Sequence, residues 1–291
     1  MSLVVVAKRE LLELRRSRGL WTLLGLATVT GLAAVVLPAI AIDGSLGTEQ
    51  AVRFVVAPMQ LVIGLTGLLA GYSAVAGPRS GGQLKLVLGL PIHRASLVIG
   101  AALGRMAFVI GGVIAALITI ALAMQLIHGS LAVAALGGFG VLLAVLAAAT
   151  TSLAVGVSAA SPSRWIAAMA VVALFVLFQF FWGVVPAGVH YLIEGSVPGQ
   201  TVPPWVVLLE RLHPFAAFRA ATDLVLPEVE RTIRLSGEGA EAPSGGPRAL
   251  GDRVRGPVPW YLSAWAALGT LLGWAVVPLV IGLHRFTRAD L

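Results

Sequence analysis

Six stretches of the chain, 20–42, 54–76, 106–126, 131–157, 165–185 and 261–283, contain no Asp, Glu, Lys or Arg. Each reaches the roughly 20 apolar residues that a helix rising 1.5 Å per residue needs to cross a bilayer core. Lipid offers no partner to an open backbone N–H or C=O, so segments this apolar are predicted to be helices rather than strands. The expected fold is all-α: one polytopic membrane domain over 1–291 with six transmembrane helices. Pro38, Pro58 and Pro278 fall inside these stretches and predict kinks, which neighbouring helices in a bundle accommodate.

Between the spans the polar positions alternate in kind. Lys8, Arg9, Arg15, Arg16 and Arg18 precede the first span; Arg79, Lys85 and Arg94 follow the second; Arg164 precedes the fifth; Arg285 and Arg288 follow the sixth. The short loops of the other parity hold Arg53 against Asp43 and Glu49, and the turn at His128 holds no Lys or Arg. By the positive-inside rule both termini are expected in the cytoplasm and the protein in the cell membrane, multi-pass. The long segment 186–260 then lies outside, where its mixed charge carries no topological weight. A cleaved signal peptide ending at Ala39-Ile40-Ala41 is the rival reading of the start and would invert this parity; the first apolar run is longer than such peptides use.

Composition agrees with lipid exposure: of 291 residues 58% are apolar and 11% charged. The net charge of +7 is spread through loops, so it reads as a topology signal and not as a nucleic-acid footprint. There is no Cys, hence no disulfide framework and no thiol chemistry. The five His (93, 128, 190, 213 and 284) are scattered without the i, i+4 spacing that shares a metal, so no metal site is expected. Gly71-Tyr72-Ser73-Ala74-Val75 fails the nucleophile-elbow pattern, and neither lysine, Lys8 nor Lys85, sits in a phosphate-binding loop. The spans hold no carboxylate of the kind proton-coupled transporters require. A non-catalytic chain without cofactors of its own is expected; if ATP drives it, ATP and Mg are bound by another chain.

Three loop segments carry more information. In 3–18, Val4, Ala7, Leu11 and Leu14 recur at helical spacing while Arg9, Glu13 and Arg16 occupy the opposite face, which predicts an interfacial helix over 1–19. In 77–105, residues 83–90 are predicted to form a short apolar helix stopped by Pro91, followed by a lead-in helix on which Arg94 and Arg105 are expected to share a face near the headgroups. In 186–260, the apolar pieces 205–212 and 215–226 are too short to cross and predict short extracellular helices between spans five and six; 236–247 is breaker-rich and reads as disordered. Glycine pairs at i, i+4 (Gly67/Gly71, Gly100/Gly104, Gly269/Gly273) predict close helix packing, within one chain or at a dimer seam.

The run Gly81-Gly82-Gln83-Leu84-Lys85-Leu86-Val87-Leu88-Gly89-Leu90-Pro91-Ile92-His93-Arg94 resembles the Gly-Ser/Thr-Leu-x-Leu-Leu-Leu-x-Leu-Pro-x-x-Arg loop of ATP-binding-cassette (ABC) permeases of the type-2 export class, among them nitrous-oxide-reductase maturation permeases. Ala7-Lys8-Arg9-Glu10 through Trp21 and Arg285-Phe286-Thr287-Arg288-Ala289-Asp290-Leu291 are similar to the two ends of such permeases. The resemblance implies that Gln83, Leu84, Lys85, Leu86, Leu88, Leu90 and Arg94 belong to the coupling helix region that seats in an ATPase subunit. It implies likewise that the Arg9, Glu13 and Arg16 helix is the elbow helix, and that Gln60 and Gln179 line the path in spans two and five. Helix-to-helix hydrogen bonding is the other reading of those two glutamines. Relatives usually carry an acidic residue where this chain has Pro78-Arg79, which alters the charge offered to the ATPase. The implied partners are an ABC ATPase and a second permease chain, identical or related, in a lipid membrane without nucleic acid. The expected function is the membrane-spanning permease subunit of an ABC exporter; the alternatives are an ATP-independent secondary transporter or channel, or a non-transporting membrane scaffold.

Overall fold

The computed structural model describes residues 3–41, 48–80, 93–226 and 250–288. The described residues hold helices and no strand; the one extended contact is an isolated parallel bridge between Val202 and Val254. Six helical segments are long and apolar enough to cross a membrane: Arg18–Ile40, Thr48–Ser80, Arg94–His128, Val133–Ala160, Arg164–Phe181 and Ala264–Arg288.

In chain order, α1 is Leu3–Leu14, α2 Arg18–Ala41, α3 Thr48–Gly71, α4 Ala76–Ser80, α5 Arg94–His128 and α6 Val133–Ala160. They are followed by α7 Arg164–Val176, α8 Val184–Glu194, α9 Pro204–Arg211, α10 Pro214–Ala221, α11 Leu250–Arg253 and α12 Ala264–Arg288. Local chemistry sets several boundaries. α5 ends at Gly129, whose left-handed φ of 68° lets its N–H donate to the Gln125 carbonyl. Ser163 caps α7 by accepting from the Ile166 N–H, and α9 and α10 open on Pro204 and Pro214, where the missing N–H has no helical partner to lose. Pro38, Pro58 and Pro278 all lie inside helices, as the apolar pattern predicts.

The core is organised around α6, whose Leu143, Leu146, Ala147 and Ala149 are fully buried. Small residues let its neighbours come close. A Cβ on Gly71 of α3 would sit 2.5 Å from the Ala154 Cβ, and one on Gly282 of α12 would sit 2.5 Å from the Gly156 Cα. Ser152 donates to the Ala275 carbonyl across the same α6–α12 contact, one residue past the carbonyl that Pro278 leaves free. The opposite faces of the spans turn Trp165, Met169, Val172, Ile114, Ile118, Val276 and Val280 outward, the reverse of a soluble bundle and the arrangement lipid favours.

Candidate functional site

One end of the bundle gathers the start of α2, the end of span two, the start of α5, the α6–α7 turn and the end of α12, and with them most of the arginines. We call it the basic end. α1 is docked there on α5, not standing alone. Gly100 and Gly104 make the seat: a Cβ on the first would lie 2.8 Å from the Val6 Cβ, and on the second 2.9 Å from the Glu10 Cβ. The buried side of α1 is therefore the line of Val6, Ala7, Glu10 and Leu14, while Val4 is 69% exposed. Of the predicted apolar face, Ala7, Leu11 and Leu14 lie on the packed side, but Val4 is turned outward and the acid Glu10 takes a buried place. Arg105 does not reach headgroups beside Arg94 either. Its side chain is 6% exposed, and its Nε and Nη2 donate to Glu10 Oε2 at 2.9 and 2.7 Å. Its Nη1 donates to the Ala70 carbonyl of α3. A buried guanidinium needs both a counter-charge and acceptors for its remaining N–H groups, and α1 and α3 each supply one.

The Ala70 carbonyl is free because span two breaks after it. Through 72–75 the helix gives way to turns: Ala74 N–H donates to Gly71 instead of to Ala70, and helix resumes only at Ala76. The break also frees amides. Val75 and Ala76 N–H both donate to Ser158 Oγ of α6, at 3.1 and 3.0 Å, so a single buried hydroxyl caps the restarting helix. Beyond it α4 is tied to the α6–α7 turn: Arg79 donates to the Ser161 carbonyl at 2.7 Å, and Ser80 Oγ accepts from the Arg164 N–H at 3.0 Å. Arg164 reaches back to the Tyr72 hydroxyl at 2.9 Å, and the Arg79 guanidinium stands 5.5 Å over the Phe286 ring of α12. Arg79 thus faces the bundle.

Of the sequence-predicted site residues, Gln83, Leu84, Lys85, Leu86, Leu88 and Leu90 lie outside the described residues, as does the breaker-rich 236–247. Arg94 begins α5 and donates to the Thr287 carbonyl of α12 at 3.3 Å. Arg9, Glu13 and Arg16 are exposed, on the side of α1 away from α5 or in the turn after it. Gln60 is buried within α3, with an Oε1 that accepts no hydrogen bond. Gln179 is half-buried in a π-helical turn, Leu177–Phe181, that continues α7. The structure brings Arg94 near the end of α12; it forms no described bond between Gln60 and Gln179. Sequence reasoning missed Glu10 and Ser158 and placed Arg105 at the headgroups instead of in a buried pair. The only signal for that pair was an acid and a base, each at a glycine-lined or apolar helix face; a lone Ser in an apolar helix gave none.

At the opposite end, α10 is driven into the bundle. Phe215 and Phe218 are fully buried, Phe215 lying against Gly64 of α3 and edge-on to Phe175, Phe218 against Phe139. The end of α9 is held from both sides: the Trp182 indole donates to the Leu209 carbonyl at 2.9 Å and the Trp274 indole to Leu212 at 2.7 Å. Between α9 and α10, His213 stacks on Phe178 at 5.6 Å and touches Trp182 and Phe215. Burial first, and the Arg219 charge second, push its pKa down to about 4. No group of three His, Asp or Glu side chains among the described residues is placed to hold a metal.

No curated protein matches the sequence. The family model described as "ABC-2 family transporter protein" matches residues 4–291. The match over nearly the whole chain, in a protein with six helices long and apolar enough to cross a membrane, places this protein in the ABC-2 transporter family.

Proposed function

We propose that this chain is the permease subunit of an ABC exporter, working with a separate ATPase that binds and hydrolyses ATP with Mg. The observation that carries the reading is the family match over residues 4–291. The geometry supports it in one respect: the basic end is where the segment leading to 81–92 is tied to α6, α7 and α12, so a force applied there reaches the bundle. In this reading Gln83, Leu84, Lys85, Leu86, Leu88, Leu90 and Arg94 belong to the surface that seats in the ATPase, with the basic end and both termini in the cytoplasm of a cell membrane. The exposed Arg9, Glu13 and Arg16 are the elbow's contribution to the headgroup layer or to that partner. Two permease chains complete the transporter, and Gln60 and Gln179 border the path between them. Solubilising the protein in mild detergent from its native host and isolating it by a tag tests the proposal. An ATPase subunit should come with it, in a complex that hydrolyses ATP; isolation of the chain with no ATPase overturns it.

A further inference from the structure

We propose that residues 72–75 are a pivot in span two, and that Ser158 and Arg105 are the positioning residues that hold its two open ends. The inference rests on the transporter reading above and adds where motion from the ATPase enters the membrane. A break in a membrane helix exposes carbonyls on one side and amides on the other, and in lipid each open group is costly if unmet. Here both sides are met by side chains of other helices. The Ala70 carbonyl takes Arg105, itself fixed to Glu10 of α1, and the Val75 and Ala76 amides share Ser158 Oγ. Pro78 contributes to the break, because it has no N–H for the Ala74 carbonyl and its ring crowds that carbonyl, while the Val75 and Ala76 amides and the Ala70 carbonyl are left for other helices to meet. The break persists because its polar groups have been given partners that do not require helix.

The two halves of span two are also anchored differently. Before the pivot, Gly67 and Gly71 pack against Thr150, Thr151 and Ala154 in the middle of α6. After it, α4 is bonded to the α6–α7 turn and to Arg164, the first residue of span five, and Arg79 rests on Phe286 of span six. A displacement of the loop beyond Ser80 therefore turns α4 about 72–75 and carries the start of span five with it, while the membrane-crossing part of span two stays on α6. Span five ends in the π-turn and Trp182, which holds α9 at the far end. The pivot thus gives loop motion a route to the α9–α10 cap that does not pass through span two.

Hydrogen exchange read by mass spectrometry on the permease–ATPase complex in lipid nanodiscs tests this, comparing the nucleotide-free complex with one trapped by ATP and orthovanadate. In the wild type, trapping should change exchange both in 72–80 and in 214–221. Ser158→Ala should speed exchange of the Val75 and Ala76 amides about fivefold without nucleotide, as expected when one hydrogen-bond acceptor is lost. It should also keep ATP turnover within about twofold while the trapped change in 214–221 disappears, a loss of a few-fold in exchange protection. Glu10→Gln, which loosens Arg105 but leaves its shape, should weaken the same response, and Ser158→Thr, which keeps the hydroxyl, should restore it. Variants that fold, turn over ATP and transmit the trapped change to 214–221 as the wild type does overturn the pivot and leave the transporter reading intact. A wild-type complex with no nucleotide-dependent change anywhere overturns the transporter reading, and the pivot with it.

Discussion

His213 shows how a single buried ring sets a pH dependence. Its imidazole is enclosed by Phe178, Trp182 and Phe215 with Arg219 as the nearby charge, and its Nδ1 finds no partner, so the folded protein holds it neutral down to about pH 4. In the unfolded chain it takes a proton near its ordinary value of 6.5. Between these values the unfolded state binds more protons, so stability must rise with pH across the window and be lost as pH falls from 6.5 toward 4; above 6.5 the residue contributes no slope. Melting temperatures in detergent from pH 5 to 7.5 should therefore fall toward the acid end, and His213→Phe should flatten that fall relative to wild type. An unchanged slope in the variant refutes the assignment. Arg105 is the contrasting case, a buried guanidinium whose donors are shared between Glu10 and the Ala70 carbonyl. Such a pair does not add much net stability over an apolar replacement, but either partner left alone is costly, so it serves to fix the register of α1 on α5.

At the scale of elements, glycine placement separates helix contacts inside the chain from faces that meet only lipid or another molecule. Gly156 and Gly282 face each other where α6 crosses α12, and Gly156 also lies against the Pro278 carbonyl, so neither has room for a side chain. Gly269 and Gly273, on the same α12, have nothing within 4 Å of an added Cβ. Gly156→Val and Gly282→Val should each lower stability by about 1–3 kcal/mol through overpacking. Gly269→Ala and Gly273→Ala should be neutral or gain about 0.5–1 kcal/mol from helix propensity. Thermal unfolding of the four variants in one detergent checks the contrast; equal losses at all four positions would show that the α6–α12 crossing is not as tight as described. The sequence displayed Gly269/Gly273 as an i, i+4 pair and displayed Gly156 and Gly282 as unrelated residues, although the second pair is the one in contact. Spacing within one helix reports a smooth stripe, and only the crossing of two helices reports which stripe is used.

For the whole molecule, the basic end and the α8–α11 end must lie on opposite sides of the bilayer if the six helices cross it. The chain has no cysteine, so a single introduced thiol can be read without background. Lys85→Cys should react with a membrane-impermeant maleimide only after the cytoplasmic face is opened, whereas Gln200→Cys, in an exposed stretch between α8 and α9, should react in intact cells. Labelling of position 85 from outside intact cells would invert the topology.

The class of fold was legible from charge-free runs alone, because lipid leaves an apolar segment of that length one way to satisfy its backbone; the six long apolar helices and the prolines within them follow from that constraint. What the runs did not reveal is which polar group meets which. The seat of α1, the pairing of Glu10 with Arg105, the break at 72–75 and the capping by Ser158 join residues 35, 83 or 95 positions apart. Hydropathy assigns each residue to water or lipid, but a hydrogen bond between helices depends on crossing position and rotation, and those are decided only when the helices pack.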